Sequence, residues 1–257
     1  MIKVRNVSMV YRQRHSALTA VKDLSFSVGA REFVCLLGPS GCGKSTILHL
    51  LAGFIRPTAG TIEVKGRPVQ GPGVDRGVVF QQHSLFPWKT VRGNVEFGLR
   101  IKGVRPAKRQ EIVRQYLISM GLSEFAESYP NELSVGMQQR VGLARAFAND
   151  PEILLMDEPF GSLDAQTRLR MQDLLLSIWS RHRRTVVFVT HDIDEGILLA
   201  DRILLLSPRP AAVMETMAID LPRPRDHLVL TNPECVRLKE KIMSLLHIEG
   251  DERGNGD

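Results

Sequence analysis

The stretch GPSGCGKST (Gly38–Thr46) decides the fold of this chain. It matches the pattern G-x-x-x-x-G-K-[ST] in full, and it lies between the apolar run EFVCLLG and a helix predicted over Ser45–Phe54. In such a loop, backbone N–H groups and the N-terminus of the helix surround the phosphate oxygens of a nucleotide. We therefore predict phosphate contacts from the whole loop: Gly38, Pro39, Ser40, Gly41, Cys42, Gly43, Lys44, Ser45 and Thr46.

Four side chains supply the chemistry that a bound nucleotide needs. We expect Lys44 to neutralise β- and γ-phosphate oxygens and Ser45 to ligate Mg²⁺. The run EILLMDEP supplies a second metal ligand, because its apolar residues predict a buried strand that ends at Asp157. Glu158 follows and can act as a general base on the attacking water. The alternative, a pair of acidic residues in an ordinary strand-end turn, is weak beside a complete phosphate loop.

The pattern around the loop predicts an α/β fold. Short β-rich runs precede the loop, and strands alternate with helices after residue 148, which is typical of a parallel sheet with crossover helices. Capping and breaking residues mark a helical block over Thr90–Phe147. We predict one domain over residues 1–257, in which a nucleotide-binding core with a β subdomain (1–89 and 148–257) is interrupted by a helical subdomain (90–147).

The composition is that of an ordinary globular protein. Hydrophobic residues make up 43% and charged residues 24%, and the longest apolar runs are strand-sized. The N-terminus alternates like a strand instead of resembling a signal peptide, and the three cysteines indicate no disulfide scaffold, so we expect a cytoplasmic location. The net charge of +6 permits nucleic acid or an anionic membrane face as a neighbour, yet the basic residues are scattered.

A third motif, NELSVGMQQRVGLARAF (Asn131–Phe147), predicts a polar turn that runs into a helix. Ser134 can cap this helix, because its hydroxyl can accept from a backbone N–H of the first turn. Gly136 stands in the same turn, where a helix favours alanine. The glycine indicates that some group approaches the backbone closely.

Taken together, these motifs resemble one family. The segments GPSGCGKST, VVFQQ, LSVGMQQR, ILLMDEP, SLD and VTHD occur in the order and spacing of an ATP-binding cassette (ABC) ATPase. The resemblance covers nearly the whole chain and implies a P-loop NTPase (RecA-like) core with an antiparallel β subdomain and an inserted α-helical subdomain. It also implies that the chain binds ATP and Mg²⁺ and hydrolyses ATP to ADP and phosphate.

The resemblance assigns roles to further residues. It makes Gln81 a ligand of Mg²⁺ that joins the catalytic site to a transport partner, and it places Asp164 in a loop that communicates across a dimer. By its position alone, His191 is either a donor to the γ-phosphate or an ordinary histidine, and the resemblance makes it the switch histidine of the site. Tyr11 falls where the family often places an aromatic ring on adenine; the alternative is a strand-end tyrosine that packs on the core.

The third motif corresponds to the family signature and implies a homodimer. In the family, the signature of one subunit meets the γ-phosphate bound by the other, so we expect Ser134, Gly136 and Met137 to contact the ATP of a second copy. The family pattern is more often Ser-Gly-Gly-Gln, and here Val135 replaces the first glycine and Met137 the glutamine. We expect Val135 to point away from the phosphate and Gly136 to mark the closest approach.

Two classes of ABC protein compete. The chain length, the single cassette and the short helical insert favour the ATPase subunit of an importer over a soluble ABC ATPase of DNA repair or translation. Pro87 and Trp88, soon after Gln81, resemble the nitrate, sulfonate and taurine subfamily. The implied partners are integral membrane permease subunits and, indirectly, a solute-binding protein, at the cytoplasmic face of the inner membrane and without nucleic acid. Nitrate, taurine, aliphatic sulfonates and some heterocyclic vitamin precursors stay open as substrates, since the solute would not touch this subunit.

Cys42 raises a separate expectation. A thiol beside a helix N-terminus and near Lys44 is expected to favour its thiolate form, which would make it sensitive to alkylation. A bulky adduct would occupy the space of the phosphates, so N-ethylmaleimide should inactivate the protein.

Overall fold

The computed structural model describes residues 1–12, 16–81 and 84–251, and for residues 247–251 it describes the backbone alone. The strands are β1 (Ile2–Arg12), β2 (Ala17–Val28), β3 (Phe33–Leu37), β4 (Ala59–Val64), β5 (Arg67–Pro68), β6 (Arg76–Val79), β7 (Ile153–Asp157), β8 (Thr185–Thr190), β9 (Arg202–Leu206) and β10 (Val213–Ala218). The helices are α1 (Lys44–Ala52), α2 (Val91–Ile101), α3 (Pro106–Ser119), α4 (Val135–Ala148), α5 (Ala165–His182), α6 (Ile193–Leu199) and α7 (Pro233–Asp251).

The strands form two sheets. The first sheet has the order β2-β1-β4-β5 and is antiparallel. The second has the order β10-β9-β3-β8-β7-β6, and its strands are parallel except β10, which pairs antiparallel with β9 at one edge. A parallel sheet with crossover helices, together with a separate antiparallel sheet, confirms the predicted α/β fold.

The central strand β3 is apolar throughout because both of its faces are buried. Successive side chains point to opposite faces of a strand. Phe33, Cys35 and Leu37 therefore join a core shared with helices α2–α7. Val34 and Leu36 join a second core, which contains α1 and the inner face of the first sheet. Helix α1 thus lies between the two sheets, and the loop that precedes it is held from both sides.

Helices α2, α3 and α4 follow β6 and precede β7 along the chain, where the sequence predicts a helical block. Thr90 caps α2 by accepting from the backbone N–H of Gly93. Ser134 caps α4 as predicted, with its hydroxyl 3.3 Å from the backbone nitrogen of Met137. The subdomain boundaries at residues 90 and 147 stay a prediction.

Candidate functional site

The candidate site lies where three neighbouring parallel strands end. Strands β3, β8 and β7 are adjacent in the second sheet, so their carboxyl ends meet at one edge. The glycine loop follows β3, Glu158 directly follows β7, and His191 directly follows β8. The sheet order therefore brings together side chains that lie far apart in the sequence.

Glu158 stands between two nitrogen-bearing side chains. Its Oε1 is 3.7 Å from Lys44 Nζ, and its Oε2 is 3.0 Å from His191 Nδ1. Its backbone φ is +40°, in the left-handed region that non-glycine residues rarely occupy. Backbone strain of this kind concentrates at functional sites. The structure thus brings three of the predicted catalytic residues together.

Lys44 is the buried cation of the site. Its side chain is 4% exposed, and its ammonium donates to the carbonyl oxygens of Gly38 and Pro39, both at 2.9 Å. These carbonyl contacts satisfy two of its three N–H donors, and Glu158 forms an ion pair with it at 3.7 Å. Bound phosphate oxygens would add a further acceptor and negative charge beside this buried cation.

Ser45 and Asp157 form an oxygen pair beside the loop. The Ser45 hydroxyl donates to Asp157 Oδ1 at 3.1 Å. Burial raises the pKa of the Asp157 carboxyl, although the hydrogen bond from Ser45 acts in the opposite direction. Hydroxyl and carboxylate oxygens are the hard donors that Mg²⁺ takes in phosphate-binding sites, and a nearby cation favours the ionised carboxylate. The pair therefore fits the predicted metal site.

Gln81, the third predicted metal ligand, follows β6. It is exposed, and β6 pairs in parallel with β7, the strand that ends at Asp157. In the described ranges, its side chain makes no hydrogen bond to Ser45 or Asp157. Its role at the metal stays a prediction.

A cavity of about 310 Å³ opens above the glycine loop. At one end, the Tyr11 hydroxyl lies 3.4 Å from Thr46 Oγ1, so the predicted adenine partner and the loop border the same space. The cavity is lined by Tyr11, Leu18, Ala20, Gly41, Gly43, Lys44, Ser45, Thr46, Glu158 and Arg209. None of the signature residues 134–137 belongs to this lining.

Three lining residues were missed by the sequence reasoning. Leu18 pairs with Tyr11 across the β1–β2 ladder, so the hairpin itself could have indicated its position, and Ala20 follows on the same strand. Arg209 lies in the segment LSPRP after an apolar strand, and no local pattern marks it as part of the site. Its place depends on the packing of β9 beside β3.

The signature residues occupy the exposed start of α4. Val135 is 47% exposed, which agrees with the expectation that its side chain needs no room inside the chain. Gly136 is buried, and a Cβ built on it would lie 2.7 Å from Cγ2 of Thr167. A group inside the chain, Thr167 of a neighbouring helix, therefore approaches this glycine closely, and the expected contact between Gly136 and the phosphate held by a second copy stays a prediction.

Asp164 caps the N-terminus of α5, the helix that contains Thr167. Its carboxylate accepts from the backbone N–H of Thr167 at 2.9 Å, and this bond lowers the pKa of the exposed carboxyl. Thr167 is therefore held by the predicted dimer loop while its methyl group packs on Gly136. The helix that begins at Asp164, α5, and the signature helix α4 are therefore in contact within one chain.

The expectation for Cys42 is wrong. The Cys42 side chain is 1% exposed, and burial raises the pKa of its thiol more than Lys44 and the backbone N–H groups lower it. Burial also raises the pKa of the thiols of Cys35 and Cys235. The sequence shows the positive charges near Cys42 but does not show that the thiol points into the core.

We therefore expect N-ethylmaleimide to leave the ATPase activity of the native protein intact at neutral pH. Each unit of raised pKa lowers the thiolate fraction about tenfold, and burial blocks access in addition. Mass spectrometry should find Cys42 labelled at least about tenfold more slowly in the native protein than in guanidinium chloride. Equal labelling rates in the two states would contradict the buried position.

The sequence profile of the family described as ABC transporter matches residues 21–161. The nitrate import ATP-binding protein NrtD of Synechocystis sp. is 44% identical over 251 residues, covering 95% of this chain and 94% of NrtD. The taurine import ATP-binding protein TauB of Rhizobium johnstonii is 45% identical over 259 residues, covering 98% and 99%. TauB of Burkholderia thailandensis is 52% identical over 217 residues, covering 84% of each chain.

Solved structures agree with the sequence comparison. The dimeric structure of the ATP-binding cassette MJ0796 in a post-hydrolysis state, bound to ADP and Pi, superimposes with a TM-score of 0.77. It is 33% identical in sequence and covers 86% of this chain and 100% of the solved chain. This chain therefore belongs to the ABC transporter family, as the order and spacing of its motifs predicted.

Proposed function

We propose that this ABC ATPase is the subunit that binds and hydrolyses ATP for a multi-subunit importer of a small solute: nitrate, taurine or an aliphatic sulfonate. The observation that carries the catalytic part is the Glu158 carboxylate between Lys44 and His191 at the edge of the glycine loop. The import proteins NrtD and TauB, matched over nearly their whole length, favour an importer over a soluble repair or translation ATPase.

Binding would use the two ends of the cavity. The Tyr11 ring would stack on adenine, and the loop N–H groups and Lys44 would hold the phosphates. Ser45 and Asp157 would hold Mg²⁺, with Gln81 as the further proposed ligand. When bound, the ion neutralises charge on the phosphate oxygens.

The side chains of Glu158 and His191 would carry out the hydrolysis of ATP. Glu158 would orient a water molecule and accept its proton as the water attacks the γ-phosphorus. His191 bonds Glu158 through Nδ1 and would present Nε2 to the γ-phosphate. Lys44 would offset the charge that develops on the phosphate oxygens.

The signature requires a second copy of this chain. Ser134, Gly136, Met137 and Asp164 lie outside the cavity lining of their own chain. We propose that they meet the ATP held by the partner, in a two-fold homodimer that closes around two nucleotides. The dimeric state of MJ0796 supports this arrangement.

An exposed apolar groove is the proposed contact with the membrane subunits. The groove has a volume of about 480 Å³ and includes Phe80, Phe86, Phe97 and Ile101 in its lining. Trp88 is 71% exposed and packs its ring 5.7 Å from that of Phe86, centroid to centroid. Exposed apolar surface of this kind marks interaction sites. Phe80 directly precedes Gln81, so docking here would lie next to a residue expected at the metal.

Binding to membrane subunits also determines the cellular location that we propose for this chain. None of the described helices is long and apolar enough to span a membrane. We propose that the chain is peripheral at the cytoplasmic face of the inner membrane, attached through permease subunits that a solute-binding protein supplies with substrate. We expect no nucleic acid partner.

The Trp88→Ala substitution tests this function. ATP hydrolysis by the isolated subunit should change by less than about twofold, because Trp88 does not line the nucleotide cavity. ATP-driven uptake by proteoliposomes containing the permease and the solute-binding protein should fall at least about tenfold, as for loss of an aromatic anchor at an interface. The solute is identified beforehand as the ligand that raises the melting temperature of the binding protein.

Leu228→Ala is the matched control, because Leu228 is also exposed, at 75%, whereas Trp88 packs on Phe86 of the groove lining. It should leave uptake unchanged. Unchanged uptake and unchanged subunit association in Trp88→Ala would exclude the surface formed by Trp88 and Phe86 as the docking site. A wild-type assembly that hydrolyses ATP but takes up none of the three solute classes would refute the proposed substrate class.

A further inference from the structure

The turn between β9 and β10 (Ser207–Ala212, the 207–212 turn) is closed by the Ser207 hydroxyl together with one backbone hydrogen bond. Ser207 Oγ donates to the carbonyl of Pro210 and accepts from the backbone N–H of Ala212, both at 3.0 Å. The backbone N–H of Ser207 also donates to the carbonyl of Ala212 at 3.0 Å. Arg209 lies within this closed turn, so its backbone has a defined position.

This turn packs directly on the glycine loop. The guanidinium of Arg209 donates to the carbonyl of Gly41 from Nε at 3.1 Å and from Nη2 at 2.7 Å. A Cβ on Gly43 would lie 3.1 Å from the Cβ of Ala211, and a Cβ on Gly38 would lie 3.1 Å from Leu206. The glycines of the loop therefore leave room for the turn as well as for phosphates.

The contact with Gly41 completes the anchoring of one peptide group. The backbone N–H of Cys42 donates to the carbonyl of Pro39 at 3.3 Å, while the carbonyl of the same peptide accepts from Arg209. With both ends bonded, this peptide keeps its carbonyl oxygen turned toward the guanidinium. Without Arg209, the carbonyl could rotate toward the phosphates and repel them.

The turn also contacts β2, the strand that lines the cavity beside Tyr11. The backbone N–H of Ala211 donates to the carbonyl of Ala20 at 2.9 Å, and the N–H of Lys22 donates to the carbonyl of Ala211 at 3.1 Å. Leu18 on the same strand pairs with Tyr11. The 207–212 turn is therefore bonded to both ends of the cavity.

We propose that Arg209 is a positioning residue for nucleotide binding: it holds the glycine loop in its phosphate-binding shape through the Gly41 carbonyl. This inference rests on the proposed function. Arg209 acts on affinity and leaves the chemical step to Glu158, because the carbonyl oxygen that it binds belongs to the glycine loop. Preorganising a loop strengthens binding by lowering the cost of ordering it.

The test is ligand binding by the purified full-length subunit, measured by calorimetry with ATP and with tripolyphosphate. Arg209→Ala should weaken both ligands by a similar factor of about tenfold, because the loop holds the phosphates in each. The kcat at saturating ATP should stay within about twofold, so the loss appears in KM. Arg209→Lys should recover part of the affinity, since one donor can still reach the carbonyl.

Two controls separate this role from a loss of charge or of folding. Arg67→Ala removes the same charge from an exposed position on β5 and should bind both ligands like the wild type. Ser207→Ala keeps the guanidinium but removes the hydroxyl that closes the turn, and it should weaken both ligands in the same direction. The melting temperature without ligand reports whether each variant is folded.

Unchanged affinity in a folded Arg209→Ala protein would overturn the inference, and so would a loss for ATP with none for tripolyphosphate. An equal fall in kcat and kcat/KM at unchanged affinity would also overturn it, since that pattern belongs to a group acting on the chemical step. None of these results would contradict the proposed ATPase function. That function is refuted only if the wild-type subunit itself does not bind and hydrolyse ATP.

Discussion

Replacing Glu158 by glutamine is expected to lower ATP turnover by about 10²–10⁴-fold while ATP affinity stays near the wild-type value. Glutamine keeps the shape of the side chain but cannot accept a proton as a base. Lys44 and His191, which flank the carboxylate at 3.7 Å and 3.0 Å, remain in place to hold the phosphates. Steady-state hydrolysis and equilibrium ATP binding by the isolated subunit measure the two effects separately.

The same substitution should trap a dimer. If hydrolysis stops and the γ-phosphate stays, each signature helix remains on the ATP of the partner, so MgATP should convert monomers into a persistent dimer in size-exclusion chromatography. Adding Lys44→Ala should abolish the dimer, because the phosphates are no longer held. Glu124→Gln, at an exposed position in the helical block, is the matched control and should behave like the wild type.

The turnover and the oligomeric state of Glu158→Gln test different parts of the proposal. Turnover near the wild-type rate in Glu158→Gln would remove Glu158 from the mechanism. An inactive variant that stays monomeric in MgATP would keep Glu158 as the base and refute the shared ATP site between two chains.

The parts of the site that the sequence predicts well are those encoded by local patterns. The apolar runs before Gly38, Glu158 and His191 predict strands, and the alternation of strands and helices predicts that these strands are parallel. Parallel strands have their carboxyl ends at one edge, so the pattern predicts that Lys44 and Glu158 lie at the same edge of the sheet, while the strand order that brings them within 3.7 Å is not encoded locally.

The sequence does not predict the parts of the site that depend on contacts between distant segments. Arg209 meets Gly41 across 168 positions, and nothing in the residues around either one indicates the other. Cys42 shows the opposite error, because the local charges are visible in the sequence but the burial that outweighs them is not. Gly136 was correctly singled out as a close-approach position, yet the approaching group inside the chain is Thr167.

The contact between Gly136 and Thr167 leads to the second large effect. Gly136→Ala should lower turnover by about 10²-fold, because the new Cβ would lie 2.7 Å from Thr167 Cγ2, about 1 Å inside an ordinary carbon–carbon contact. The Thr167 side chain or helix α4 must then shift, and either change disturbs the packing of the signature on α5. Val135→Gly should change turnover by less than about twofold, since the exposed Val135 side chain makes no such internal contact.

A double substitution tests why position 136 requires a glycine. Thr167→Ser removes the methyl group that Gly136 faces and keeps the backbone N–H that Asp164 caps. If packing between α4 and α5 sets the requirement, Gly136→Ala with Thr167→Ser should recover turnover to within a few-fold of Thr167→Ser alone, a coupling that a double-mutant cycle measures directly. A double variant as inactive as Gly136→Ala would return the glycine to its first interpretation, a bare backbone that the partner's phosphate must approach. Steady-state hydrolysis of the four proteins, compared at saturating ATP, separates the two, because the internal clash disappears with the methyl group and a clash with the nucleotide does not.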